Sequence, residues 1–151
     1  MEDNKRNLAQ NLQLDSLELI ASKFNVIKEN KEKTGRVKIS IELGNEAIAE
    51  ENSNILKKII GMLKVNIKGV TEDSIEDEIF SMEVVFESNY SAHNEFVWEN
   101  EEIDHFVLTS MYMHMWPYVR EYASELTQKS PLKDFILPLM PVGQGQLKPK
   151  N

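Results

Sequence analysis

Residues 103–126 read IDHFVLTSMYMHMWPYVREYASEL, and this stretch decides the fold class of the 151-residue chain. Its period is helical rather than alternating. At about 100° per residue, Ile103, Phe106, Val107, Met111, Met115 and Trp116 point to nearly every side of the cylinder. A helix apolar almost all round must be buried on more than one side. Asn100 is the expected N-cap, and Glu99, Glu101, Glu102 and Asp104 put negative charge at the positive end of the helix dipole. Pro117 is expected to kink or restart the helix. A single sheet covers only one side of such a helix, so a second copy of the chain is expected on the other. The alternative is that the N-terminal segment folds over it.

Working upstream, the period changes to two. Phe80, Met82, Val84 and Phe86 alternate with Ser81, Glu83, Val85 and Glu87, and the hydrophilic stretch 88–94 is expected to end that strand. Residues 71–78, TEDSIEDE, form an acidic turn before it. Earlier, Ile59, Gly61, Leu63, Val65 and Ile67 line one face opposite Lys58, Lys64, Asn66 and Lys68. Val37, Ile39, Ile41 and Leu43 define another strand, which Gly44 and Asn45 are expected to close. Leu12 and Leu14 alternate, then Leu17 and Leu19 alternate in the opposite phase. A phase flip within a strand is the mark of a β-bulge, placed here near Asp15 and Ser16; a loose helical stripe through Leu8, Leu12, Leu19 and Ile20 is the alternative. The class is therefore α+β, an antiparallel sheet followed by a long helix. Downstream, residues 131–142, PLKDFILPLMPV, are apolar with three prolines and read as extended. One domain is expected over 1–142, with 143–151 a disordered polar tail.

Composition narrows the function. Hydrophobic residues make up 41% and charged residues 28%, a globular mixture. Lys plus Arg is 17 against 25 for Asp plus Glu, a formal charge of −8, which repels phosphate backbones and argues against nucleic-acid binding. The chain has no Cys, which removes disulfides, thiolate metal sites and cysteine nucleophiles. No signal-peptide pattern opens it, and apolar runs such as 59–63, IIGML, are too short to span a bilayer. A soluble, cytoplasmic protein without membrane insertion is expected.

Catalytic constellations are thin. Of His93, His105 and His114, the last two lie nine residues apart on opposite sides of a helix, so they share no metal there, and HExxH is absent. There is no GxSxG, and the GQG at 143–145 sits in the polar tail. Carboxylates concentrate in turns and at the helix start, where solvated charge accounts for them. No catalytic residue, metal or cofactor is expected, and the chain does not read as an enzyme. The unusual feature is methionine: Met111, Met113 and Met115 cluster beside Tyr112, Trp116 and Tyr118. They suit a deformable core or subunit interface, or an adaptable surface for apolar segments of varied partners.

At this point the residues resemble a family. WPYVRE at 116–121 resembles the FPYARE-type signature in the helix of the SecB protein-export chaperones. LMPV at 139–142 falls where that family has Leu-Ala-Pro-Val, and IFSMEV at 79–84 and VKISI at 37–41 resemble two of its strands. His105 falls where the family has a helical His. The resemblance implies a four-stranded antiparallel sheet with a long helix on one face, assembled as a dimer of dimers through the helices. The interface is then expected at Met111, Met115, Tyr118 and Tyr122. It implies an ATP-independent holdase that binds unfolded polypeptides and passes them to the translocation motor SecA. Client-binding residues map to Phe24, Val26 and Ile27, to Ile39 and Ile41, and to Phe135, Leu137 and Leu139. Glu83, with Glu18 as a looser counterpart, matches acidic positions used for motor docking. Two departures stand out. Pro141-Val142 is followed by GQGQLKPKN instead of a second apolar helix, and the zinc-binding Cys/His tail is missing. A dedicated chaperone for one partner such as an antitoxin, a non-catalytic scaffold or adaptor, and a small-molecule binder in the same groove are the other readings.

Overall fold

Four antiparallel strands pair in the order β1-β4-β3-β2. They are β1 (Leu12–Val26), β2 (Gly35–Ala49), β3 (Leu56–Thr71) and β4 (Glu78–Ala92). The computed structural model describes residues 7–27, 35–71 and 78–129, with the backbone alone at 35, 36 and 71. The helix follows as α1 (Asn100–Phe106), a π turn (Val107–Met111) and α2 (Tyr112–Gln128). The sheet-then-helix order is the one read from the change of period.

The expected bulge is present: β1 slips by one residue against β4 between Leu14 and Ser16, leaving Asp15 as the extra residue. A second slip between Leu19 and Ala21 makes Ile20 another. Leu12, Leu14, Leu17, Leu19, Ser22, Phe24 and Val26 thereby stand opposite Ala92, Tyr90, Ser88, Phe86, Val84, Met82 and Phe80. One face of the edge strand is kept in step with one face of β4.

Two strands outrun their expected ends. β2 does not stop at Gly44 and Asn45; it continues to Ala49, because Gly44 pairs with Met62 and Asn45 with Gly61 on an unbroken β3. β4 does not stop at residue 88 but runs to Ala92. Ser88, counted as loop, is fully buried, and its hydroxyl donates to the Met115 sulfur at 3.4 Å. At β4 polarity misled, since a small polar side chain such as Ser88 fits under a helix when it has a partner.

The helix start also differs by one residue. Glu99, not Asn100, is the N-cap, and it exchanges side-chain-to-backbone hydrogen bonds with Glu102 in a capping box, with the Glu99 N–H donating to Glu102 Oε1 at 3.2 Å. Pro117 neither breaks nor restarts α2. The irregularity lies upstream, in the π turn, where the Thr109 hydroxyl donates to the His105 carbonyl at 2.6 Å. A π turn holds one residue more than an α turn. It sets everything after it back by about 100°. Ile103 and Phe106 before the turn, Val107 and Met111 at its two ends, and Tyr112, Met115, Trp116, Val119 and Ala123 after it then share one broad face, and all are buried within the single chain. The all-round pattern that called for a second chain is largely absorbed by this reset.

Beneath the helix, Ile59, Leu63, Val65 and Ile67 of β3 and Met82, Val84, Phe86 and Tyr90 of β4 form the core. The far face of the sheet is polar, with Lys64–Glu83 at 3.5 Å and Lys68–Glu78 at 3.3 Å as exposed ion pairs of small energetic weight. Two core tyrosines give a pH signature. Burial pushes the Tyr90 phenol up to about 12, against a smaller lowering by its hydrogen bond with Ser88, and burial pushes Tyr112 up as well. A phenol held neutral in the fold contributes stability that is complete below the unfolded value of 10.0 and is lost as pH rises through the folded one. Denaturant midpoints should therefore fall steeply from about pH 10 upward. Phe should remove that alkaline slope at each position, which urea titrations of Tyr90→Phe and Tyr112→Phe would check.

Candidate functional site

The pairing registers lay the helix-side face out in rows across all four strands. Met111 sits over Gly61 and Met115 over Ser88. Farther along, the Tyr122 ring packs edge-on against Phe86, with centroids 6.3 Å apart, and its hydroxyl donates to Ser22 Oγ at 2.9 Å. α2 ends at Gln128. Toward its end the sheet presents the rows Ser22–Val84–Val65–Ile41, Phe24–Met82–Ile67–Ile39 and Val26–Phe80–Gly69–Val37.

Four of the expected client-binding residues thus meet on one face at one end of the sheet: Phe24, Val26, Ile39 and Ile41. Phe24, Ile39 and Ile41 are half-buried, while Val26 is 39% exposed. Ile27 lies just beyond β1 with its N–H donating to the Ile79 carbonyl at 2.8 Å; strand alternation turns it toward the opposite face. Phe135, Leu137 and Leu139 lie outside the described residues. Sequence reasoning missed Val37, also 39% exposed, and the contribution of Gly69. A Cβ at Gly69 would run into the Phe80 ring, so glycine lets that ring lie across the row, where it also meets Phe24 at a centroid distance of 6.3 Å. The glycine in an alternating strand was the available signal.

The two edges of the sheet differ. β1 is interrupted twice, whereas β2 pairs with β3 without a slip until Ile48, and its outer edge has no strand partner among the described residues. A regular edge offers unpaired N–H and C=O groups to an extended chain. Val37, Ile39 and Ile41, the partly exposed ends of those rows, lie on that edge strand.

The other expected residues fall elsewhere. Glu18 and Glu83 lie on the polar face away from the helix; Glu18 stands opposite Glu87, and Glu83 pairs with Lys64. Of the expected interface set, Met111 and Met115 are fully buried against the chain's own sheet and offer no surface to a second copy. Tyr122 is engaged with Ser22 and Phe86, and Tyr118, one turn earlier on the same flank, is 48% exposed. Among the described residues no group of three side chains is placed to hold a metal ion. No described helix is long and apolar enough to cross a membrane.

No family model matches the chain, and no curated protein matches its sequence. Among solved structures, the SecB-like chaperone Rv1957 of Mycobacterium tuberculosis, in complex with a ChAD peptide from the HigA1 antitoxin, superimposes with a TM-score of 0.73 at 18% identity, over 89% of this chain and 94% of that one. A protein of unknown function from Streptococcus agalactiae matches at a TM-score of 0.44 and 12% identity, over 84% and 96%. The four-stranded antiparallel sheet with its C-terminal helix is thus the fold of a SecB-like chaperone, as the resemblance of WPYVRE, IFSMEV and VKISI implied.

Proposed function

We propose that this chain is a non-catalytic, ATP-independent chaperone that holds non-native polypeptide on the apolar rows beside β2. The observation that carries the reading is the placement of Val37 and Ile39 on β2, partly open beside its regular edge, on the face that Phe24 and Val26 of β1 share across the sheet. Main-chain pairing plus generic burial accepts many sequences, as a holdase requires. The peptide held by the M. tuberculosis neighbour supports polypeptide as the occupant, and it favours a dedicated client such as an antitoxin as much as general export. Delivery to SecA, in the cytoplasm, rests on Glu18 and Glu83 sharing the polar face. Assembly is proposed through the exposed Tyr118 flank of α2.

The test is dilution of a denatured, unrelated client with and without the protein, omitting ATP. Suppression of aggregation near stoichiometric amounts is expected. The double variant Val26→Ser, Val37→Ser should fold normally yet need about fivefold more protein for the same effect, roughly the loss of 1 kcal/mol of apolar burial. A well-folded protein that suppresses nothing would overturn general holding. Pull-down from the native cell would then test the dedicated client.

A further inference from the structure

β2 forms the border of the sheet away from β1, and among the described residues no strand lies along its outer edge. Edge strands are commonly blunted by proline, by bulges or by charges on the buried face. From Gly35 to Ile48, β2 carries none of these: it holds no proline, and it pairs with β3 without a slip. Its helix-side residues Val37, Ile39, Ile41 and Leu43 are all apolar, with Val37 exposed and Ile39 and Ile41 half-buried. The other face reads Lys38, Ser40, Glu42, Gly44, Glu46, so its charge is positive before Ser40 and negative after it. Lys38 is exposed and stands opposite Lys68 of β3, a like-charge pair, whereas Glu42 stands opposite Lys64. An acid on the outer side of Lys38 would offset that repulsion.

We propose that two copies of this chain pair antiparallel along β2, about a two-fold axis that passes through the sheet at Ser40. The occupant is selected by charge, because the order of charges along the strand complements itself when reversed. With the axis at Ser40, Lys38 of each copy meets the partner's Glu42 on the same face, twice over by symmetry. Ile39 meets the partner's Ile41 and Val37 the partner's Leu43, so the apolar rows run on into a second sheet. Neighbouring registers match less well. An axis at Ile39 sets Lys38 against Ser40 and Leu43 against Gly35. One at Ile41 sets Val37 against Asn45, and one at Glu42 sets that carboxylate against itself. The client reading places a bound polypeptide on this same edge, so the pair is the unloaded state that a client displaces. The pairing does not depend on that reading, and a failed aggregation assay would leave it standing. It is also distinct from assembly through α2, whose Tyr122 is bonded to Ser22 on β1, the opposite border of the sheet.

The chain has no Cys, so Glu46→Cys in the full chain carries a single nitroxide label, on an exposed position just past the paired residues 35–45. Pulsed EPR should give a label separation of about 40 Å, and each one-residue move of the axis would change it by about 7 Å. Sedimentation of the unlabelled protein reads the affinity. Lys38→Glu should raise the dissociation constant of the pair about tenfold, since it turns two attractive contacts repulsive. The monomer should be no less stable, because Lys68 then faces an acid. Adding Glu42→Lys reverses both partners and should restore the pairing. Hydrogen exchange at residues 37–43 should slow as protein concentration rises. Unchanged affinity of Lys38→Glu would overturn the proposal, as would a self-associating protein with a label separation far from 40 Å. Exchange at 37–43 that is equally slow at every concentration would also overturn it, because a segment of the same chain, such as 131–142, would then cover the edge.

Discussion

Gly61→Ala is expected to cost the fold about 2 kcal/mol or more. The added Cβ would stand on the Met111 sulfur and 2.7 Å from Ser88 Oγ. Neither neighbour has room to withdraw, because Met111 and Ser88 are both fully buried. Gly61, on a central strand, pairs with Asn45 of β2 and Ser88 of β4, so a backbone shift would strain both ladders. The mechanism is separable from a general intolerance of alanine. Met111→Ala removes the clashing thioether at its own cost of about 2–5 kcal/mol. In the double variant the two losses should fall short of their sum by at least about 1 kcal/mol, as expected of residues that share one space. Urea melts of the wild type, both single variants and the double variant make the measurement. Strict additivity would show that the Met111 side chain does not occupy the space above Gly61.

Met115→Arg should abolish folding, while Tyr118→Arg should leave it intact. The two positions are three residues apart on α2, yet Met115 is fully buried over Ser88 and Tyr118 is 48% exposed. An unpaired guanidinium at Met115 has no acid to meet in an interior of Gly61, Ser88 and Met111, and its desolvation exceeds the margin of an ordinary domain. At Tyr118 the same charge stays in water, so the monomer's stability should change by no more than about 0.5 kcal/mol. If copies assemble through this flank, Tyr118→Arg should lower the mass in solution with the circular dichroism spectrum unchanged. Unaltered mass in a protein that does oligomerise would move the interface off the Tyr118 flank. A native Met115→Arg spectrum would place that side chain outside the core.

These two positions also mark where the sequence was legible and where it was not. Alternation exposed the middle of β3, because Ile59, Leu63, Val65 and Ile67 all lie on the helix-side face. The phase flip from Leu14 to Leu17 exposed the first bulge of β1. The second stayed hidden, since Ile20 and Ala21 are both apolar and Ser22 then occupies a helix-side position, where Tyr122 donates to it. The π turn has no residue signature in VLTSM, so a uniform turn angle scattered Met111, Met115 and Trp116 around a helix that in fact turns one broad face to its own sheet. Met111 and Met115, expected at an interface, are instead buried against the chain's own sheet. At the candidate site, Phe24, Ile39 and Ile41 followed from alternation and resemblance. Val37 and the Phe80 ring over Gly69 required the register, which only pairing supplies.

The two bulges of β1 have a further consequence, for how the strand can change length. Fifteen residues of β1 span thirteen of β4, so the strand carries two spare positions. A single deletion near Asp15 or Ile20 can be absorbed by straightening the chain, with every side chain beyond it still on its own face. An insertion there finds no such reserve. In lineages descended from this sequence, β1 should therefore shorten by one or two residues more readily than it lengthens. Each shortening would turn an uneven border into a smooth one, giving the sheet a second regular edge besides that of β2.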